Sequence, residues 1–208
     1  MKKLILRILK SDRILFNRPS KGKVLYLTFD DGPHAINTEP MLDLLAEMQV
    51  KATFFVVGRD VVNNRDIVER TVREGHEIGN HSMTHPRMDM LSDQGRLIEI
   101  RGMNRLLKEY DHRSEHLFRP PYGRVSMSLM WFCLKKRFNV ALWSRDSMDY
   151  RDDAEKVVRG LVERPVSSGD IVLFHDDGAV ACNALRELIP LWKSQGYGFS
   201  TLTQSTQS

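Results

Sequence analysis

The chain has 208 residues, 41% of them hydrophobic and 28% charged, a balance that suits one soluble domain with a substantial core. Its net charge is +4 and its isoelectric point near 9.1, but Lys2, Lys3, Arg7, Lys10, Arg13, Arg18, Lys21 and Lys23 cluster at the start against Asp12 alone. The remainder is close to neutral, giving no electrostatic reason to expect a nucleic-acid partner, and no apolar run is long enough to span a bilayer.

Met1-Lys2-Lys3 opens like a secretory leader, but Arg7 and Lys10 interrupt the apolar stretch and no small-residue cleavage site follows. Leu4, Ile5, Ile8 and Leu9, then Ile14, Leu15 and Phe16, predict a basic amphipathic helix. Such a helix fits either peripheral contact of residues 1–18 with an anionic membrane or packing across the bottom of the domain. Residues 1–22 therefore read as an appended segment and residues 23–208 as the domain. Cys133 and Cys182 have no CxxC partner and are expected as buried thiols. With no cleavable leader, the expected location is cytoplasmic, peripheral to the inner membrane surface.

Strands are predicted at Val24–Phe29, Ala52–Val57, His76–Asn80, His116–Phe118, Val140–Ser144, Ile171–Phe174 and Phe199–Leu202. Between them, helices are predicted at Thr38–Gln49, Val62–Glu74, Ser92–Tyr110, Ser126–Arg137, Asp153–Glu163 and Ala184–Gln195. Strand–helix alternation means parallel strands with crossover helices. About seven such units in a chain of this size suggest a closed or nearly closed barrel, whose site lies at the C-terminal strand ends.

The polar clusters fall on that face. Leu27-Thr28-Phe29-Asp30-Asp31-Gly32-Pro33-His34 ends the first strand in adjacent carboxylates, which taken alone also fit an Asx turn and a helix cap. Asn80-His81-Ser82-Met83-Thr84-His85 follows the third strand, with zinc-ligand spacing that a capping and a surface histidine would equally satisfy. Arg119-Pro120-Pro121-Tyr122-Gly123, Asp146-Ser147-Met148-Asp149-Tyr150 and Leu173-Phe174-His175 end the later strands.

These five segments, in this order, resemble the motifs of the NodB-homology polysaccharide deacetylases, carbohydrate esterase family four, over Lys23 to Thr203. The resemblance implies an α/β fold, a distorted (β/α) barrel of about seven parallel strands in a single domain. It implies a hydrolase that removes acetyl groups from N-acetylated sugars of a poly- or oligosaccharide, using one divalent ion. Zinc is the first expectation, with cobalt or manganese as alternatives. Carried over by position, Asp30 is the catalytic base and Asp31, His81 and His85 hold the metal. Arg119 orients the base, the Tyr122 backbone N–H helps bind the oxyanion, His175 is the general acid and Asp149 tunes it. Leu173 and Trp143 line the acyl pocket, and Tyr150 stands where the family usually has Trp. Ser82 fits a brace between the histidine ligands.

Other readings are a deformylase or deacetylase of a lipid-linked amido sugar, a non-haem iron oxygenase with the same two-His, one-carboxylate triad, and a non-catalytic glycan binder. Asp177-Gly178 reads as a loop turn, His76 as structural, and His112 and His116 as solvent-exposed. His34 could line the cleft, and Asp146 could brace the site or cap a turn.

Overall fold

Strand β2 (Val24–Asp30) is buried along its whole length, and its period of two sets up the architecture. Leu25, Leu27 and Phe29 face outward into a core shared with Phe54, Val56, Ile78, Val172 and Phe174 and the covering helices. Phe29 stacks on Phe54 with ring centroids 4.8 Å apart. Each such buried aromatic is worth about 1.5–3 kcal/mol of transfer free energy. The alternate residues Val24 and Tyr26 meet Phe55, Leu117, Ala141 and Ile171 on the other face, which is the interior of the sheet's curve. Thr28 and Asp30 continue that inner row toward the strand's C-terminal end.

The computed structural model describes residues 11–203. β3 (Thr53–Val56), β4 (Glu77–Asn80), β6 (Arg145–Asp146) and β7 (Ile171–His175) join β2 in the order β4-β3-β2-β7-β6, every pair parallel. The register sets Asp30 beside Phe55 on one side and His175 on the other. Helices α1 (Thr38–Glu47), α2 (Gly58–Asn63), α3 (Arg65–Arg73), α4 (Asp93–Asp111), α5 (Met127–Lys136), α6 (Ala154–Glu163) and α7 (Ala179–Ser194) make the connections. The short β8 (Gly198–Phe199) pairs with Val24 and Leu25, the part of β2 that β3 does not reach.

The barrel is distorted at one seam. Phe118 bridges Asn80 of β4 and Val140 of β5 (Val140–Ala141), each in the parallel sense. From β5 the chain passes directly to β6 on β7, so parallel pairing runs from one sheet edge to the other through short irregular pieces. The strand expected at His116–Phe118 is reduced to that bridge, and the one expected at Val140–Ser144 is shortened to β5, with β6 forming just beyond its expected end. The single helix expected over Val62–Glu74 is two, broken at Asn64, whose side chain donates to the Asp60 and Pro33 carbonyls. Helix α7 starts at Ala179, more than a turn before the expected Ala184.

The N-terminal expectation is corrected where it can be compared. Ile14 and Leu15 form a strand, β1, parallel to β5. The Arg13 and Leu15 carbonyls accept from Val140 N and Leu142 N, and Ile14 enters an apolar cluster with Phe118, Leu129 and Phe138. A sheet edge with unpaired backbone groups outweighs the helical spacing here. Leu4, Ile5, Ile8 and Leu9 lie outside the described residues. Among those described, no helix is long and apolar enough to cross a membrane. Cys133 and Cys182 are both free and buried, as expected.

Candidate active site

Asp30 ends the inner row of β2 and is buried, and Arg119 lies fully buried against it. Arg119 Nη1 donates to Asp30 Oδ1 at 2.7 Å and to Thr28 Oγ1 at 2.8 Å. Its Nε and Nη2 donate to the carbonyls of Ala141 and Leu142, and its guanidinium sits 4.0 Å from the Phe55 ring centre. The arginine is thereby fixed from four directions and offers one edge to the carboxylate, leaving Asp30 Oδ2 toward the cleft side, 3.9 Å from His81 Nε2.

One residue on, the chain turns. Asp31 has φ 74°, a left-handed conformation that a non-glycine residue holds at some cost. The turn swings its carboxylate away from Asp30 toward two imidazoles, with Oδ1 3.2 Å from His81 Nε2 and 2.9 Å from His85 Nε2. His81 Nδ1–H donates to the Arg119 carbonyl at 2.8 Å, which directs the other ring nitrogen into the site. Ser82, also left-handed, takes the His85 N–H on its hydroxyl, while its own N–H is held by the buried Asn80 side chain. Glu99 on α4 clamps Thr84 through both its N–H and hydroxyl. Asp31, His81 and His85 each offer one ligand atom, all within 4.8 Å of one another. Asp31 Oδ1 and His85 Nε2 are buried with no directed hydrogen bond. Burial by itself would raise the Asp31 carboxyl, but the two imidazoles outweigh it and hold that carboxyl far below the usual range. Three ligand atoms, one anionic and two aromatic, converging on one point, two of them without a hydrogen bond, suit a borderline divalent cation with open coordination positions.

Across the cleft, Asp149 grips His175 twice: Oδ1 pairs with Nδ1 at 2.8 Å and Oδ2 accepts the His175 backbone N–H at 2.7 Å. Burial works against the charged ring, but the Asp149 hydrogen bond and the nearby Asp30, Asp149 and Asp31 charges outweigh it and raise His175 to about 9. With Nδ1 committed, Nε2 is the nitrogen left for a substrate. Tyr122, at φ 60°, packs its ring 4.5 Å from that of His85 and opposes Trp143, which fills the space where a Cβ on Gly123 would stand. Leu173, Trp143, Tyr122 and Tyr150 join the carboxylates and imidazoles around an open cavity of about 300 Å³. The Tyr150 ring meets His175 edge-on at 5.4 Å and remains more than half exposed. Nine of the eleven site residues assigned from the sequence thus line one cleft, and the buried Arg119 and Asp149 stand behind it, bonded to Asp30 and His175.

Residues 17–136 match the polysaccharide deacetylase family. The chain belongs to that family. It is 34% identical over 191 residues to a peptidoglycan-N-acetylglucosamine deacetylase of Bacillus cereus, covering 89% of each chain. It is 32% identical to a chitooligosaccharide deacetylase of Sinorhizobium fredii, covering 87% of this chain and 91% of that one. The Bacillus subtilis peptidoglycan-N-acetylmuramic acid deacetylase PdaC is 34% identical, and there the match spans only 38% of the relative's length. Among solved structures, the Bc1960 peptidoglycan N-acetylglucosamine deacetylase superposes with a TM-score of 0.86 at 29% identity over 94% of both chains. A family-four pseudoenzyme of Bacillus anthracis, BA3943, also superposes, at 0.80 and 28% identity, over 93% of this chain and 68% of that one.

Within this polysaccharide deacetylase, other side chains depart from their sequence readings. Asp177 lines the central cavity and also a second one of about 430 Å³ that continues past Asp31 and His85 to His34, Arg59 and Asp60. Only its neighbours across the barrel mark Asp177 as more than a turn residue. His34 lines that second cavity, with Nδ1 turned back to Ile36 N and the Asn37 amide. Asp146 both faces the cleft and accepts the Met148 N–H, so brace and cap are one role. His76 is buried with Nδ1 accepting from Ala52 N, and desolvation takes it down to about 4, as befits a neutral structural ring. His112 is exposed, but His116 is buried against Asp111, contrary to expectation. Its carboxylate partner five residues earlier sits at the end of α4, a local pairing that the polar composition of that loop concealed.

Proposed function

We propose that the chain is a metal-dependent N-deacetylase of polysaccharides built from N-acetylated sugars, with peptidoglycan the first substrate to test. The observation that carries this is the division of labour about one cleft. A positioned carboxylate stands beside a three-donor metal site on one side, and a carboxylate-bound imidazole faces it from the next strand. The named activities of relatives that align along nearly this whole chain support the same substrate class.

Asp31, His81 and His85 would hold the ion. A divalent cation supplies Lewis acidity there, polarising the acyl carbonyl and making water acidic enough to ionise near neutral pH. Asp30, fixed through Oδ1 by Arg119, takes the proton of the attacking water on Oδ2. The Tyr122 N–H stabilises the oxyanion that forms on the carbonyl oxygen as water adds to the carbonyl carbon. His175 gives its Nε2 proton to the departing nitrogen, since an amide nitrogen leaves poorly unless protonated, and Asp149 keeps the imidazolium oriented. The C–N bond breaks to yield acetate and a free amino sugar, and Leu173 and Trp143 enclose the methyl group.

The oxygenase reading leaves the Arg119–Asp30 and Asp149–His175 pairs without a task, as does a binding-only reading. The apolar and basic residues of segment 1–18 that precede β1 support a further proposal, contact with an anionic membrane surface, Ile14 and Leu15 being taken up by the sheet. The deciding assay measures acetate released from N-acetylated peptidoglycan fragments, chitooligosaccharides and lipid-linked acetamido sugars, before and after chelation. Release that a chelator stops and Zn²⁺ or Co²⁺ restores supports the proposal. No release from any acetylated glycan, or release indifferent to a chelator shown to strip the metal, refutes it.

A further inference from the structure

The carboxyl of Asp176, the residue after His175, is buried to 1% exposure yet lines neither cavity beside the metal-site residues. It points instead at the turn that carries Asp31. A Cβ on Gly32 would overlap both of its oxygens, so Gly32 and Asp176 interlock by shape. Thr38, the first residue of α1, donates its hydroxyl to Asp176 Oδ2 at 2.5 Å and accepts the His34 N–H at 2.7 Å. The Asp176 N–H reaches the Asp30 carbonyl at 3.4 Å, and on the far side Val57 N donates to the Gly32 carbonyl at 2.8 Å. The segment 30–34 is therefore gripped between the end of β7, the start of α1 and the chain after β3.

We infer that Asp176 is a positioning residue for metal binding: its carboxyl group, seated against Gly32 and tied through Thr38 to His34, holds Asp31 in its left-handed turn and aims that carboxylate at His81 and His85. The inference rests on reading Asp31, His81 and His85 as the metal site. A free Asp31 would relax from φ 74° toward ordinary backbone, moving its side chain off the two imidazoles. Burial, with Asp177 and Asp31 adding to it against the opposing Thr38 bond, pushes Asp176 up to about 7. Its shape and hydrogen-bond acceptance, rather than a full negative charge, are the properties the site uses.

The test titrates Zn²⁺ alone into the metal-free full chain, in competition with a chromophoric chelator, with circular dichroism confirming the fold. Supporting residues around ligands typically change affinity by about 10- to 100-fold. Asp176→Ala should therefore weaken Zn²⁺ binding by about tenfold or more, while Asp176→Asn, which keeps the shape and the acceptor for Thr38, should stay within about threefold. Gly32→Ala should weaken binding in the native chain and cost less when combined with Asp176→Ala, because the second change removes the atoms its methyl meets. If Asp176→Ala does not fold, Thr38→Val carries the same expectation. Wild-type Zn²⁺ affinity in Asp176→Ala overturns the inference, and so does an Asn variant as weak as the Ala variant. A native chain that binds no Zn²⁺ refutes the metal site itself, which is a separate result.

Discussion

Replacing Asp149 with Asn tests the proposed acid most directly, because it removes a charge and leaves the shape of the site. Asp149 holds both Nδ1 and the backbone N–H of His175, and its hydrogen bond is foremost among the interactions that raise this imidazole from 6.5 to about 9 against the cost of burial. That elevation corresponds to ~3 kcal/mol of preference for the charged ring, at about 1.4 kcal/mol per tenfold. Asn keeps a hydrogen bond but not the charge, so the ring should return toward 6.5. At about pH 8 a group titrating at about 9 is nine-tenths protonated, whereas one at 6.5 is about 3% protonated. Relative to the native enzyme, kcat/KM of the variant should fall by a further ~20-fold between about pH 6 and about pH 8. The basic limb of its profile should move to lower pH. Stability gives an independent reading with a defined sign. A raised histidine stabilises the fold fully below 6.5 and loses that contribution as pH rises through about 9, so the native chain should weaken across this window and the variant should not. Acetate release as a function of pH, with urea denaturation alongside, measures both. Native and variant profiles that differ only by a constant factor would refute the assignment of His175 as an acid tuned by Asp149.

Three further substitutions separate the neighbouring roles. Asp30→Asn should lower turnover by about 10²–10⁴-fold with metal retained, whereas Asp31→Asn and His81→Ala should lose both, as read by metal content and acetate release. Metal loss in Asp30→Asn but not in Asp31→Asn would reverse the two assignments. Arg119→Met should destabilise the domain by about 3–5 kcal/mol in denaturant titrations, because it strands a buried carboxylate and three more acceptors. Adding Asp30→Leu should recover part of that loss, and a double variant less stable than Arg119→Met would contradict the account.

Much of this site is legible in the chain because its signals are local. The alternation in Val24–Asp30 puts Thr28 and Asp30 on the inner face, and the five polar segments each follow an apolar run that ends at the same side of a parallel sheet. The three-residue gap between His81 and His85 likewise survives folding, since both lie on one loop braced by Asn80 and Ser82. What is not legible depends on partners distant in sequence. The two-residue strand at Ile14–Leu15 forms only because β5 presents an unpaired edge, and the helical spacing there carries no trace of that edge. Asp177 is indistinguishable from any turn residue until the end of β7 is set beside the loop of Asp31. Asp176 acquires its neighbour Gly32 across a gap of well over a hundred residues.

Sequence by itself determined which residues stand at strand ends and in what order, because periodicity and turn chemistry are properties of a few adjacent residues. The family resemblance gave Asp30 and Asp31 different tasks, and only the tertiary structure shows what sets the two carboxylates apart. Two adjacent anions share a turn at low cost when each has its own counterpart, and those counterparts arrive on other strands: Arg119 for one, His81 and His85 for the other. Electrostatic pairing acts through space over a few ångströms, and the folded barrel is what brings those charges within that range.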